Sequence, residues 1–288
     1  MIMTIFVTGK EGFIAQNLIR KLIEDGFDVK GTSVDVSSGD LYMDLLNPDK
    51  FDYGLIKSGD VVVHLSAISS PDTCENNYEF AYSVNVKGTE YFLSKCMDCG
   101  AKVLFFSSDT VYGGNSDGYF DENSGTNPVG KYAAMKREIE RIFEKNINFK
   151  VFRLSYIFAK GDKYMKYLDS CVLKDEIAEV YSTFLRNVVY IEDLLTAVLA
   201  LVRDFDKFSW NVCNICGLDL LSRLKLAELY KNFVNKNLGI KDVDPGEEFF
   251  KTRPRRISVR SLYFEGLISR KPTHIEKAMQ IEFNKQAK

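Results

Sequence analysis

The sequence predicts an α/β fold, with a doubly wound parallel sheet and a smaller mixed lobe toward the C-terminal end. Short apolar runs rich in β-branched residues alternate with longer stretches of helical period, the pattern of a sheet covered by helices on both faces. The first run leads through a glycine-containing turn into a helical stretch, and the regular alternation stops after residue 158. With 288 residues, 45% of them hydrophobic, the chain can bury a sizeable core.

Each element follows from the pattern of its own segment. "TIFVTG" predicts a buried strand, and "FIAQNLIRKLIEDG" predicts a helix that ends at Gly26. The main domain continues with the strands "FDVKGTSV" and "GDVVVHLSA", the long helix "YEFAYSVNVKGTEYFLSKCMDCG", the strand "AKVLFFSS", the helix "KYAAMKREIERIFEKN" and the strand "FKVFRLSYIF". Further on we predict the helix "YMKYLDSCVLKDEI", the strand "AEVYS", the helix "IEDLLTAVLALVRDF", the strand "WNVCNI" and the helix "LKLAELYKNFVNKNL".

The domain organisation follows from this order of elements. We assign residues 1–158 to the main domain and expect residues 187–215 to return to its sheet. Residues 159–186 and 216–288 form the smaller lobe. No repeat, low-complexity tract or linker divides the chain into independent domains.

Composition argues against polyanionic partners. The formal net charge is −2, and the one basic cluster, "RPRR" at 253–256, is short, so we expect no nucleic acid and no membrane partner. The start of the chain lacks the charged, apolar and small-residue regions of a signal peptide, and no apolar stretch approaches the roughly 18 residues of a membrane span. We therefore expect a cytoplasmic protein.

The six cysteines include two CxxC pairs, Cys96 with Cys99 and Cys213 with Cys216. Such pairs can hold zinc, but the gap between these two is much longer than in zinc ribbons or fingers. The first pair ends a predicted helix and the second lies in a predicted strand, where cysteine serves as a small buried hydrophobe. We expect reduced thiols and no metal site.

The turn "VTGKEGFIAQNL" places Gly9, Gly12 and Ala15 between the first strand and the first helix. Glycines at this point let the backbone approach a pyrophosphate, whose charge the helix N-terminus can meet. The pattern is GxxGxxA rather than GxGxxG, and a tight turn without a ligand would also explain it. The motif alone therefore leaves both interpretations open.

Two further motifs carry groups suited to catalysis. In "YAAMK", Tyr132 and Lys136 are one helical turn apart, so the ammonium can favour the phenolate and lower the tyrosine pKa. In "VLFFSSDTVYGG", a buried strand ends at Ser108, at the edge of the sheet where α/β proteins bind ligands. Both motifs also have non-catalytic explanations. In these, the tyrosine simply packs over the lysine side chain, and the serines simply end a strand that leads into a turn.

Together, these motifs identify a family. The segments "VTGKEGFIAQNL", "HLSA", "NVKGT", "FFSSDTVYG", "YAAMK" and "RNVVYIEDL" occur in the order of the extended short-chain dehydrogenase/reductase superfamily, and the chain resembles its nucleotide-sugar epimerase/dehydratase branch. The resemblance implies a Rossmann-type fold, a catalytic trio of Ser108, Tyr132 and Lys136, a lysine that also holds the nicotinamide ribose, and a homodimer formed through the helices at 75–97 and 131–145. The apolar residues of those helices would also suit burial within one subunit.

The resemblance also implies binding residues for the cofactor and the substrate. For NAD or NADP they are Gly9, Gly12, Phe13, Ile14, Ser33, Asp35, Asp44, Leu45, Leu65, Ser66, Ala67, Asn85, Tyr132 and Lys136. For the substrate they are Ser69, Asp109, Thr110, Tyr156, Arg186 and Arg253. Arg186 matches the arginine that meets the substrate diphosphate in many relatives, with a surface charge on a loop as the alternative; Arg253 and Arg256 are weaker candidates for that contact.

Some residues differ from the family pattern, and these differences bear on the choice of cofactor and on the type of reaction. Ser33 stands where many NAD-specific relatives have an acid, and Asp35, two residues on, favours NAD without deciding against NADP. Thr110 replaces the glutamate of 4,6-dehydratases, which makes dehydration doubtful. Tyr156 replaces the asparagine of 4-epimerases and resembles the aromatic residue of 4-keto-6-deoxysugar reductases.

We therefore expect an NAD(P)-dependent enzyme that transfers hydride to or from a nucleoside-diphosphate sugar, first of all a 4-keto-6-deoxysugar reductase. The alternative is a nucleotide-sugar 4-epimerase with tightly bound NAD. A more distant alternative is a non-catalytic dinucleotide-binding sensor on the same fold. The base, the sugar and the stereochemistry stay open.

Overall fold

The computed structural model describes residues 3–35, 41–115 and 117–284. Its strands are β1 Thr4–Thr8, β2 Asp28–Ser33, β3 Leu41–Tyr42, β4 Val61–His64, β5 Lys102–Ser108, β6 Phe149–Leu154, β7 Tyr156–Phe158, β8 Ile177–Val180, β9 Leu185–Tyr190, β10 Val212–Ile215, β11 Asp219–Ser222, β12 Gly239–Asp242 and β13 Arg256–Ile257. Its α-helices are α1 Phe13–Glu24, α2 Pro71–Asn76, α3 Tyr78–Tyr82, α4 Thr89–Asp98, α5 Lys131–Phe143, α6 Lys163–Lys174, α7 Ile191–Arg203, α8 Arg223–Phe233, α9 Gly246–Phe250, α10 Phe264–Ile268 and α11 Ile275–Asn284.

The chain divides into two compact units, each made of three segments. The first comprises Met1–Val111, Gly130–Arg153 and Val198–Cys213, and the second comprises Tyr112–Val129, Leu154–Ala197 and Asn214–Lys288. These bounds differ from the predicted ones, because the second unit also includes residues 112–129, 154–158, 187–197 and 214–215. The ends of the predicted ranges, residues 1–2 and 285–288, lie outside the described residues.

A seven-stranded sheet forms the centre of the first unit, in the order β10-β6-β5-β4-β1-β2-β3. The pairs β1 with β2, β1 with β4, β4 with β5 and β2 with β3 are parallel. Phe6, Val62, Phe105 and Val151, from four neighbouring strands, join one buried cluster with Phe92 of α4. The predicted Rossmann-type α/β fold is confirmed.

The second unit contains a smaller mixed sheet. Strand β9 pairs antiparallel with β11 and parallel with β7 and β13, while β8 and β12 form a separate parallel pair. The predicted return of residues 187–215 to the main sheet therefore applies only to β10, and β9 lies in the second sheet. The hydrophobic pattern of β9 suits burial in either sheet, so the sequence did not distinguish them.

Two predicted elements are interrupted in the structure. The strand "FKVFRLSYIF" breaks at Ser155, whose N–H donates to the Ile215 carbonyl, so β6 joins the main sheet and β7 joins the second. The helix predicted over "YEFAYSVNVKGTEYFLSKCMDCG" contains a π-helical turn, Ser83–Gly88, between α3 and α4. Such turns occur often at functional sites.

Within the residues that the structure describes, no helix has both the length and the apolar character needed to cross a membrane. Nor do the described residues contain a group of three or more His, Cys, Asp or Glu side chains that could hold a metal ion.

Candidate active site

The turn after β1 has the shape that a phosphate-binding turn needs. Gly9 has a φ of +67°, and a Cβ added there would lie 2.9 Å from Ser66 Oγ. The Gly12 N–H donates to the Gly9 carbonyl at 2.9 Å, and α1 begins at the next residue. No side chain caps α1 and no acid lies in its first turn, so its N-terminus can receive an anion.

A cleft of about 660 Å³ opens beside this turn in the first unit. It is lined by Gly9, Glu11, Gly12, Thr32, Ser33, Val34, Tyr42, Met43, Asp44, Leu45, Leu46, Leu65, Ser66, Ala67, Ile68, Ser69, Phe80 and Val84. Eight of these are among the cofactor residues that the resemblance implied, and Ser69 was expected to contact the substrate. The remaining lining residues were not predicted. Several of them are next to predicted residues in the sequence.

Two neighbouring hydroxyl side chains of β2 lie in the wall of the cleft. Thr32, at the end of β2, is fully buried, and its Oγ1 has no hydrogen-bond partner among the described residues. Ser33 Oγ, next to it, accepts from the Asp35 N–H at 2.9 Å. Since buried polar atoms normally have a partner, the Thr32 hydroxyl is one of a few exceptions among the described residues.

Several predicted cofactor residues do not line this cleft. Phe13 and Ile14 belong to the first turn of α1, and Asp35 follows Val34 at its rim. Asn85 lies in the π-helical turn, where its Oδ1 accepts from the Ile68 N–H at 2.8 Å and its Nδ2 donates to the Ile68 carbonyl at 2.9 Å. This amide therefore fixes the loop after β4.

The same loop is held by a buried threonine and histidine. Thr8 Oγ1 accepts from the N–H groups of Leu65 and Ser66, both at 3.0 Å, so its own proton points to His64 Nδ1, 3.2 Å away. Thr89 Oγ1 donates to the Val84 carbonyl and can accept from His64 Nε2–H at 3.5 Å. We assign His64 as the neutral Nε2–H tautomer on this network.

The end of β5 supplies the candidate catalytic hydroxyl. Ser108 Oγ accepts from Thr110 Oγ1 at 2.9 Å and from the Thr110 N–H at 3.2 Å, and it donates to Asp109 Oδ1 at 3.4 Å. These contacts orient the hydroxyl through the 3₁₀ turn Asp109–Tyr112 that follows the strand. They also bring together three residues that the sequence singled out.

Helix α5 carries the other two members of the predicted trio. Lys136 Nζ lies 6.0 Å from the centroid of the Tyr132 ring and donates to the Phe106 carbonyl of β5 at 2.8 Å. It also lies 4.6 Å from the centroid of the Phe105 ring. The lysine thus ties α5 to the strand that ends at Ser108.

The titration behaviour differs from the sequence prediction. Burial raises the pKa of Tyr132 well above its usual value, and the charges of Cys74 and Asp109 add to this. The predicted lowering of the tyrosine pKa is therefore wrong for the chain alone, since desolvation of the phenolate dominates. Burial lowers the pKa of Lys136 to about 8, against the opposing effect of the Glu140 carboxylate.

A buried ion pair lies one helical turn beyond Lys136. Glu140 accepts from Arg153 Nε at 3.0 Å and Nη2 at 2.6 Å, and from Ser107 Oγ at 2.5 Å. Arg137 Nη1 approaches the same carboxylate at 3.4 Å. This network, which the sequence did not reveal, joins α5, β5 and β6.

The remaining predicted substrate residues belong to the second unit. Tyr156 opens β7 and its hydroxyl donates to Asp162 Oδ1 at 2.8 Å. Arg186 is buried in β9; its Nη1 and Nη2 donate to the carbonyls of Leu185 and Pro254 at 2.6 and 2.7 Å. Arg253 Nη1 donates to Thr252 Oγ1 at 3.0 Å. The alternative that Arg186 is a surface charge on a loop is excluded by its burial within a strand.

Comparison with known proteins gives one family match that covers most of the chain. The family model described as "RmlD substrate binding domain" matches residues 3–260. A GDP-6-deoxy-D-talose 4-dehydrogenase of Aggregatibacter actinomycetemcomitans is 33% identical over 186 residues, 56% of this chain and 61% of the relative. A dTDP-4-dehydrorhamnose reductase of Escherichia coli strain K12 is 29% identical over 171 residues, 57% of this chain and 55% of the relative. The chain spans about half the length of the curated relatives it matches.

The fold is also found among solved structures. A dTDP-4-dehydrorhamnose reductase of Bacillus anthracis, crystallised with NADP, superposes with a TM-score of 0.82 over 98% of this chain and 99% of that chain. The two sequences are 18% identical, so this likeness concerns the fold.

Proposed function

Since the chain belongs to the family described as the RmlD substrate binding domain, we propose that it is an NAD(P)-dependent reductase of a nucleoside-diphosphate 4-keto sugar. The curated relatives that carry the names of a dTDP-4-dehydrorhamnose reductase and a GDP-sugar 4-dehydrogenase support the same class of reaction. The observation that carries the proposal is Lys136, which joins the Tyr132 helix to the strand end that bears Ser108.

The first unit contains suitable groups for a dinucleotide. The N–H groups at the start of α1, beside Gly9 and Gly12, would hold the pyrophosphate, and Thr32 and Ser33 would meet the adenosine ribose. When bound, the nicotinamide supplies or accepts the hydride. Asp35, which favours NAD by its charge, does not line the cleft, so NAD and NADP both stay within the proposal.

The catalytic side chains would act on the sugar carbonyl. Ser108 would donate a hydrogen bond to the carbonyl oxygen, and Tyr132 would transfer its phenolic proton to that oxygen as it becomes an alkoxide. Only the neutral phenol carries the proton to be transferred. The raised pKa of Tyr132 therefore keeps the side chain in the form that acts as the acid. The Lys136 ammonium would stabilise the phenolate left after proton transfer.

An assay of the purified chain tests this proposal. With NADH or NADPH and nucleoside-diphosphate 4-keto sugars, we expect one cofactor oxidised per sugar reduced, and a loss of at least about 100-fold in Tyr132→Phe with unchanged dinucleotide affinity. If the protein holds NAD tightly and consumes none in the assay, the proposed function would change from a reductase to a 4-epimerase. Full function in the phenylalanine variant would indicate a sensor, and failure to bind any dinucleotide would remove both enzymes.

We also propose a cytoplasmic homodimer. All six cysteines are free thiols, which suits a reducing compartment. On the helices of the proposed dimer interface, Phe80, Tyr91 and Ile142 are 47%, 42% and 41% exposed. An interface through these helices would bury such exposed apolar side chains.

A further inference from the structure

The cleft of the first unit carries charge of one sign. Glu11 and Asp44 are the acidic residues of its wall, and none of the described residues that line it is Lys, Arg or His. The Asp44 carboxylate holds its own turn, since Oδ1 accepts from the Leu46 N–H at 2.9 Å and Oδ2 accepts from Asn47 Nδ2 at 2.8 Å. Glu11 is exposed, so its carboxylate is the more accessible of the two charges.

Glu11 lies at the end of the cleft where β2 stops. The N–H of the preceding residue, Lys10, donates to the Thr32 carbonyl at 3.1 Å and so holds the glycine turn against the end of β2. Glu11 lines the cleft together with Ser33 and Val34, which follow Thr32 in the chain. Since the proposed function places the adenosine ribose at Thr32 and Ser33, Glu11 brings a negative charge to the ribose.

The lysine of the same turn lines a different surface. Lys10 does not line the cleft but a second groove of about 670 Å³ between α1 and β2, which Glu11 also borders. Its side chain packs on Gly31, because a Cβ added there would lie 3.2 Å from Lys10 Cβ and 3.5 Å from Lys10 Cδ. Asp35, the acid that the sequence suggested for cofactor choice, does not line the cleft either. Glu11 is therefore the charged residue that the fold brings to this place.

We propose that Glu11 makes the cleft selective for NAD over NADP. The inference rests on the proposed function and names the cofactor for it. NADP carries one more phosphate, on the 2′-oxygen of the adenosine ribose, which adds about two negative charges at neutral pH. Beside a carboxylate and without a cation in the cleft wall, that phosphate is repelled. The pyrophosphate is common to both cofactors, so any effect of Glu11 on it cancels in the ratio of their affinities.

The test is a fluorescence titration of NADH and NADPH against wild type, Glu11→Gln and Glu11→Lys at low and high salt. We expect wild type to bind NADH at least about 10-fold more tightly than NADPH, and Glu11→Gln to reduce that ratio by about 5-fold or more. Glu11→Lys should reduce it further, since an ammonium attracts the phosphate. Because Glu11 is exposed, high salt should lower the ratio more in wild type than in Glu11→Gln.

Three further variants serve as controls. Glu24→Gln removes an exposed carboxylate that borders only the second groove, so the ratio should stay within about 2-fold of wild type. Asp35→Asn removes the acid that the sequence suggested, and Lys10→Met removes the cation of the turn. Neither should change the ratio, because neither residue lines the cleft.

Each outcome decides the inference. A wild-type ratio near one, or an unchanged ratio in both Glu11 variants, would overturn it and leave the proposed function intact. A loss of selectivity in Asp35→Asn alone would do the same, as would a loss of about 10-fold in the NADPH affinity of Lys10→Met, which would show that the lysine holds the 2′-phosphate. If wild type binds neither dinucleotide, the proposed function and this inference fall together.

Discussion

His64 is a fully buried histidine at the end of β4, enclosed by Phe105 and the hydroxyls of Thr8 and Thr89. Burial, aided by the nearby charge of Lys136, lowers the pKa of His64 to about 3 from its usual 6.5. Between those two values the unfolded chain binds a proton that the native chain does not. Above pH 6.5 His64 therefore costs no free energy of unfolding. As the pH falls from 6.5 toward 3, its burial lowers the free energy of unfolding progressively.

We predict that the free energy of unfolding by urea falls more steeply with acidification in wild type than in His64→Leu. The difference in slope should approach about 1.4 kcal/mol per pH unit between pH 6 and 4, the linkage of one proton. His274→Leu is the control, because the other histidine of the chain is 65% exposed. Parallel curves for wild type and His64→Leu would contradict the assignment of a neutral buried histidine.

The lowered pKa of Lys136 predicts the pH above which activity falls. Its pKa of about 8 means that the ammonium is present below pH 8 and is lost above it, so kcat/KM should fall as the pH rises through about 8. Because the Glu140 charge raises this pKa, Glu140→Gln should move the fall to lower pH. Glu138→Gln, a change on the same helix at a carboxylate bound to Tyr82, should not. Identical pH profiles in all three proteins would rule out the role of Glu140.

Among the elements, the π-helical turn Ser83–Gly88 connects the long helix to the cleft. Asn85 holds the loop after β4, and Gly88 packs against the Leu45 backbone, where an added Cβ would lie 1.8 Å from the carbonyl oxygen. Leu45 itself lines the cleft. A side chain at position 88 must therefore displace either the helix or the wall of the proposed adenosine site.

We predict that Gly88→Ala lowers the free energy of unfolding by about 3 kcal/mol and weakens dinucleotide binding. Gly125→Ala is the matched control, since nothing lies within 4 Å of a Cβ added there, and it should change stability by less than about 0.5 kcal/mol. Urea unfolding and dinucleotide titration measure both effects. Equal stability in the two variants would mean that the contact with Leu45 relaxes freely.

At the scale of the whole molecule, the proposed homodimer places apolar side chains of α4 and α5 at an interface. We predict that light scattering finds a dimer for wild type and a monomer for the double variant Tyr91→Glu, Ile142→Glu, because two carboxylates would have to be buried without partners. Leu173→Glu on α6 is the control, as Leu173 is 86% exposed. A wild-type monomer, or a double variant that stays dimeric, would refute this interface.

Local sequence was sufficient for features that depend on neighbours along the chain. Gly9 and Gly26 both adopt the positive φ values that their turns require, and the one-turn spacing of Tyr132 and Lys136 follows from helix geometry. The predicted cleft residues came from the family resemblance, and several of them, such as Ser33 and Ser66, lie at or next to the ends of strands. Among the cleft residues that were missed, Tyr42 of β3 and Phe80 of α3 reach the site only through folding, while others adjoin predicted residues in the chain.

The sequence by itself determined the fold class, the family and the residue types of the proposed catalytic trio, because periodicity, turn chemistry and motif spacing are all short-range properties. Tertiary structure alone decided the sheet that β9 joins, the break at Ser155 and the high pKa of Tyr132. It also decided which of two acids lines the cleft, Glu11 rather than Asp35. Those outcomes depend on burial and on contacts between residues far apart in the chain, which one sequence does not specify.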